Sequence, residues 1–334
     1  MHKTTLVYSF LLAVLVGLAG IILMEHPSQA DGKLRANGES QPVLASMLNA
    51  DGTLDLSRGF QGSLNPQGYR LEYAENGAPR FVPAAPAVGI GWDTQFANAN
   101  GAHSFGYAVA VVGLNLYVGG APLGSAGNAV VGNIARWDGS SWASLGSGVN
   151  GSVYSLAVSG GDLYVAGDFS TAGGISANNV AKWNGSAWSA LGSGVSGGGD
   201  YALTVAVSGT DIYVGGRFTM AGGNAAANIA KWNGSAWSAL GTGTDQQVVA
   251  IAVGGSNVYA CGDFTMAGGN SANYVARWNG SAWSTLGSGM NTPVQSLAFS
   301  GGVLYAGGIF STAGGIPANS IARWNGSSWS ALGS

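Results

Sequence analysis

Three charged side chains recur at one place in a repeating sequence. Asp168, Arg217 and Asp263 each follow an apolar run ending in Gly, and Ile309 fills the same place in a further copy. Carboxylates and a guanidinium there can offer charge and hydrogen bonds to a ligand. The segments linking the copies add Asp200, Asp245 with Gln246 and Gln247, and Asn291. Binding side chains are disproportionately loop-borne, so these eight residues form the candidate binding set.

Catalysis asks for more than these residues supply. The histidines are His2, His26 and His103, and no Glu follows Glu75. A Ser-His-Asp or Cys-His arrangement therefore needs His103. A paired-carboxylate glycosidase needs two acids roughly 5 to 9.5 Å apart, and the segments expected innermost carry no Asp. Asp168 and Asp263 could help to hold Ca²⁺, yet no EF-hand or other dense carboxylate motif surrounds them. The expectation is a chain without catalytic residues, bound metal or cofactor. Cys261 stands where other copies have Ala166, Gly215 and Gly307, which marks it as a small buried packer with no disulfide partner.

Composition narrows the classes further. Charged residues make up 8% and hydrophobic ones 46%, with 58 Gly among 334 residues. Low charge with high apolar content excludes a disordered chain. The net charge of −3 leaves no basic footprint for nucleic acid. At the start, Lys3 precedes an uncharged apolar run from Leu6 to Met24, and Ser28-Gln29-Ala30 offers small residues at a cleavage site. Residues 1–30 are expected to be a signal peptide, the alternative being an uncleaved N-terminal anchor. Both send the rest outside the cytosol, secreted or at the cell surface. Membrane contact is expected only if that segment stays attached.

Repetition dominates the chain after residue 90. One Trp recurs at 137, 183, 232, 278 and 324, spaced by 46 or 49 residues, and a second follows at 142, 188, 237, 283 and 329. Trp137, Trp142, Trp183, Trp188, Trp232, Trp237, Trp278, Trp283, Trp324 and Trp329 are thus structural markers of the repeat. One copy contains four strand-like runs, VYSLAV, DLYVAGDF, NNVAKW and SAWSALG. Ser159-Gly160-Gly161 punctuates the first pair and Asn184-Gly185 the last. Asn-Gly is a strong signal for a two-residue type I′ hairpin turn. Antiparallel four-strand units of this period predict propeller blades. On the first strand, large residues such as Leu156 and Val158 alternate with Ala157, and neither face is charged. Both faces are expected to be buried between neighbouring blades.

The wording itself resembles a known family. LYVAG or IYVGG closing the second run and a Trp pair at the last hairpin resemble kelch-type β-propeller repeats. FTxAGG and WNGSxWSALGSG are similar to repeats in secreted bacterial proteins and in fungal Rax2-like polarity proteins. The resemblance covers Trp92 to Ser334. Leu54 to Ala84 resembles the leader before such repeats in bacterial examples. It implies an all-β fold, a β-propeller of five kelch-like four-stranded blades. It says little about activity, because such propellers include binders and enzymes.

The expected domains are a signal peptide 1–30, an irregular leader 31–90 and a propeller 91–334. Its blades run at about 101–148, 149–194, 195–243, 244–289 and 290–334. Asn184-Gly185-Ser186 is also a glycosylation sequon, but the first copy reads Asp138-Gly139-Ser140. Asp keeps the turn and cannot carry the sugar, so the turn is the primary meaning. Arg136, Lys182, Lys231, Arg277 and Arg323 each precede the first Trp. Spread around the blades, they are expected to cover apolar surface with their heads in water. The expected function is a non-catalytic extracellular binding or surface-display module. Its partner would be a protein or a glycan, held by the loops joining strands two and three and successive blades. The alternatives are a secreted hydrolase using Asp168, Asp263 and His103, and a purely structural wall protein.

Overall fold

The computed structural model describes residues 69–73, 79–83, 106–199 and 201–332, and all regular structure there is β. The signal segment, most of the leader, Trp92, His103 and Asp200 lie outside the described residues. The repeats fall in a compact unit running from Asn98 to Ser334. In the other unit, Leu18–Ala97, the described part is an antiparallel hairpin of Tyr69–Tyr73 with Pro79–Pro83.

Each repeat folds into a four-stranded antiparallel sheet whose strand order follows the chain. Five such sheets are described, numbered 1 to 5 along the sequence. Sheet 2 consists of Ser152–Ser159, Asp162–Asp168, Val180–Trp183 and Trp188–Ala190. The first strands of the others are Gly106–Val112, Tyr201–Ser208, Val248–Gly254 and Val294–Ser300. Alternation of large and small residues stacks these sheets. Val153 of sheet 2 occupies the space a side chain at Gly119 of sheet 1 would need, and Val248 of sheet 4 does the same at Gly215 of sheet 3. First strands pack in chain order, each on the next, which is the stacking of a β-propeller.

Both tryptophans have structural work. The two of each sheet are cross-strand partners, as with Trp183 and Trp188. Their rings lie 5.4–5.6 Å apart and are tilted by 52–53°. The indole Nε1 of the second Trp then reaches the preceding sheet. Trp188 donates to the Leu145 carbonyl at 2.7 Å, Trp237 to Leu191 at 2.6 Å, Trp283 to Leu240 at 2.7 Å and Trp329 to Leu286 at 2.8 Å. Each bond fastens one sheet to the one before it.

Two local expectations are corrected. The Trp-to-Trp connection is a four-residue loop, not a two-residue type I′ turn, because Trp183 pairs directly with Trp188. Only Gly185 takes positive φ, at 96°; Asn184 does not. The Asn184 Oδ1 instead accepts from Ser186 N, Ala187 N and Ser186 Oγ, replacing a second left-handed residue with a side-chain brace. Asp138 does the same in sheet 1, and the Ser141 and Ser140 amides hold its carboxyl well below the usual range. The second correction concerns the Ala-Gly-Gly stretch. In place of an open loop it forms a miniature hairpin, Thr171–Ala172 with Ile175–Ser176 in sheet 2. Linkers dock onto it: Val149, Thr244 and Met290 each bridge to its Ala. Gly222, in the corresponding hairpin of sheet 3, is fixed by its φ of +60° and by the Trp237 ring, 2.7 Å from where a Cβ would sit.

Between sheets the buried-face expectation is met in part, since Val205, Ile251 and Ala252 are buried but Leu156, Ala157 and Val158 are half-buried, and it fails at the ends. Val111 of the first strand is 63% exposed, and Ile321 of the last sheet is 45% exposed. No sheet precedes the one or follows the other among the described residues.

Candidate functional site

Antiparallel order separates two ends of every sheet. At one end lie the tight Gly-rich turns and the Trp loops. At the other, the second strand finishes, the miniature hairpin departs and the linker arrives. Every sheet carries a bulge in its first strand at this second end. Bulges re-aim side chains and are over-represented near functional sites. The bulged residues are Tyr107, Tyr154, Leu203, Val249 and Gln295, and the Tyr107 and Tyr154 rings lie 5.8 Å apart.

The candidate residues divide into two kinds. Asp168 and Arg217 close their second strands, Asp263 and Ile309 follow directly, and all four are exposed. Between sheets 3 and 4 the Tyr201 hydroxyl donates to Gln247 Oε1 at 2.9 Å, and Gln247 Nε2 donates to Asp263 Oδ2 at 2.6 Å. Tyr201 is the cross-strand partner of Arg217. The fold thus gathers Arg217, Tyr201, Gln247 and Asp263 into one polar group. Asp168 stands at the rim of a cleft of about 410 Å³ bordered by Asn150, Phe169, Asn179 and Ser196, a size within the range of small-ligand sites.

Asp245 and Asn291 serve the fold instead. Asp245 accepts from Thr265 N, Met266 N and Thr265 Oγ1. Asn291 accepts from Ser311 N and Thr312 N and donates to Ser311 Oγ. Asn150 repeats the pattern with Ser170 and Thr171, so this linker position braces the miniature hairpin. Gln246 contributes a carbonyl to Thr244 Oγ1. Sequence reasoning missed Tyr201, Tyr107 and Tyr154. Variation at the bulge position, Tyr, Tyr, Leu, Val and Gln across the copies, was the available signal for Tyr107 and Tyr154, whereas Tyr201 lies two residues before the bulge of its sheet.

The basic row stays out of this site. Lys182 and Lys231 pair with Asp162 and Asp211 at 3.0 and 3.1 Å, and the Asp162 bond raises the Lys182 pKa. Arg277 and Arg323 donate from Nε to Ser284 and Ser330. Arg136 faces Ala143 across the strands, and its buried Nε lacks that hydroxyl. Cys261 is fully buried, and burial pushes its thiol pKa far up, as suits an inert packer. Among the described residues, no three His, Cys, Asp or Glu side chains converge as a metal site would need.

Residues 133–302, just over half of the 334-residue chain, match the model of the Rax2 C-terminal beta propeller domain. The chain belongs to this family. No curated protein matches it. Among solved structures, the computationally designed Ika8 protein is similar at 18% identity and a TM-score of 0.45, covering 66% of this chain and 58% of that one. The β-propeller domain of the trilobed protease from Pyrococcus furiosus is similar at 10% identity and a TM-score of 0.36, covering 52% of each.

Proposed function

We propose that this propeller is a non-catalytic binding or display module, working outside the cytosol, that engages a protein or glycan through the linker end of its sheets. The observation that supports this reading is the Tyr201–Gln247–Asp263 hydrogen-bonded run beside Arg217, on the end where the copies differ. Planar polar groups held in place by neighbours give a ligand fixed donors and acceptors at low ordering cost. The apolar run before Asp31 supports export, and repeats that hold His103 as their one His and carry no Glu support a non-catalytic role.

A screen of the purified chain against glycans and extracellular proteins tests the proposal. The expected hits weaken at least tenfold in Arg217→Ala and Gln247→Ala, while Asp162→Asn at the ion pair on the far end leaves them unchanged. Hydrolytic turnover abolished by Asp263→Asn would overturn the non-catalytic reading. Hits indifferent to both Arg217→Ala and Gln247→Ala would overturn the placement of the site.

A further inference from the structure

Five Asn-Gly pairs lie among the described residues, and four of them share one loop. Asn184, Asn233, Asn279 and Asn325 each follow the first Trp of a sheet, and each is exposed together with its glycine. The side-chain Oδ1 accepts from the backbone amides two and three residues later and from the Ser hydroxyl, at 2.8–3.0 Å. The ring closed by the first of these bonds contains both the Asn amide carbon and the Gly nitrogen. That nitrogen makes no hydrogen bond among the described residues, nor does the Asn Nδ2. Nothing stands within 4 Å of where a Cβ would sit on Gly185, Gly234, Gly280 or Gly326, so solvent reaches the loop.

These are the parts of an acyl-transfer site: a free nucleophile, an unbound leaving group and fixed donors on the carbonyl oxygen. Donors so placed favour the negative charge that a tetrahedral intermediate develops on Oδ1. The product has a place as well. Sheet 1 carries Asp138 in the same loop, its Oδ1 accepting from Ser140 N, Ser140 Oγ and Ser141 N at 2.8–2.9 Å. The Ser141 and Ser140 amides hold that carboxyl well below its usual range, so the loop favours a carboxylate.

We propose that Asn184, Asn233, Asn279 and Asn325 are sites of spontaneous deamidation in the folded protein, each giving a loop of the Asp138 kind. Hydroxide takes the Gly185 N–H proton, and the nitrogen attacks Asn184 Cγ. The Cγ–Nδ2 bond breaks, and Nδ2 takes a proton from water and leaves as ammonia, giving a succinimide. Water then adds at Cγ, the bond from Cγ to the Gly185 nitrogen breaks, and that nitrogen recovers its proton. Addition at Cγ, where the amide donors lie, yields Asp; addition at the main-chain carbonyl would yield isoaspartate. Each event adds one negative charge at the Trp-loop end, away from the proposed binding residues.

Asn150-Gly151 is the contrast within the same chain. Its Nδ2 donates to Ser170 Oγ at 2.9 Å, and its Oδ1 accepts from Ser170 N and Thr171 N. Gly151 lies against the Asp168 carbonyl, which a Cβ there would overlap. With its leaving group tied and its glycine crowded, this pair should persist.

Peptide mapping by mass spectrometry, after the folded full-length chain stands in mildly alkaline buffer, tests this. Asn184, Asn233, Asn279 and Asn325 should convert, chiefly to Asp, at least tenfold faster than Asn150. In denaturant all five should convert at similar rates and chiefly to isoaspartate. Asn184→Asp, the product made directly, should melt as the parent does. The proposal is overturned if the four residues stay intact in the folded chain while the denatured chain converts. It is overturned equally if Asn150 keeps pace with them, if isoaspartate predominates in the folded chain, or if Asn184→Asp fails to fold.

Discussion

At Gly185 and Ser186 two meanings of one triplet separate physically. Gly185 holds a φ of 96° with nothing within 4 Å of where its side chain would stand, so conformation alone reserves the position for glycine. Gly185→Val is expected to lower stability by about 1–3 kcal/mol. Ser186→Ala removes one exposed hydroxyl bond to Asn184 and keeps both amide bonds to the same oxygen, so its effect should lie within about 0.5 kcal/mol. Thermal melts of the two variants, made in a host able to glycosylate, check this. A larger loss from Ser186→Ala, with loss of mass, would make the sequon the primary signal.

Between elements, the second Trp of each repeat joins two sheets. Trp237 is buried, and its Nε1 satisfies the Leu191 carbonyl in the sheet before its own. Trp237→Phe keeps an aromatic ring against Trp232 and removes the bond between sheets, while the Leu191 carbonyl keeps its bond from Gly194 N at 3.0 Å. A typical intramolecular hydrogen bond contributes about 0.5–1.5 kcal/mol, and the expected loss in denaturant melts falls in that range. The equivalent Phe change at Trp232, whose Nε1 makes no such bond to the preceding sheet, should destabilise less. Equal losses from the two would show that ring packing, not the latch, holds neighbouring sheets together.

Across the whole stack, stability is a sum over junctions, as in other arrays of repeats that contact only their neighbours. Val248 is fully buried against Gly215 of the preceding sheet, so Val248→Ala removes packing and opens a cavity, an expected loss of roughly 1.5–3 kcal/mol. Val109→Ala on the outer face of sheet 1 should change the melt of a dilute sample by under about 0.5 kcal/mol. A large loss from Val109→Ala in dilute solution would mean that this face is already covered within one chain.

The repeat length, the four strands, the Trp markers and the division of each sheet into a plain end and a variable end were legible in the sequence, because each follows from local periodicity and turn chemistry. Cys261 was legible too, since Ala and Gly at the matching positions report a crowded space. Tertiary structure decided what periodicity cannot express. Whether Asp245 and Asn291 face a ligand or brace a hairpin depends on amides about twenty residues away along the chain. The joining of Tyr201 to Gln247 and Asp263 depends on two sheets meeting. The exposure of Val111 and Ile321 depends on which sheets have neighbours. An apolar alternation is the same in a middle sheet and a terminal one, and only the stacking tells them apart.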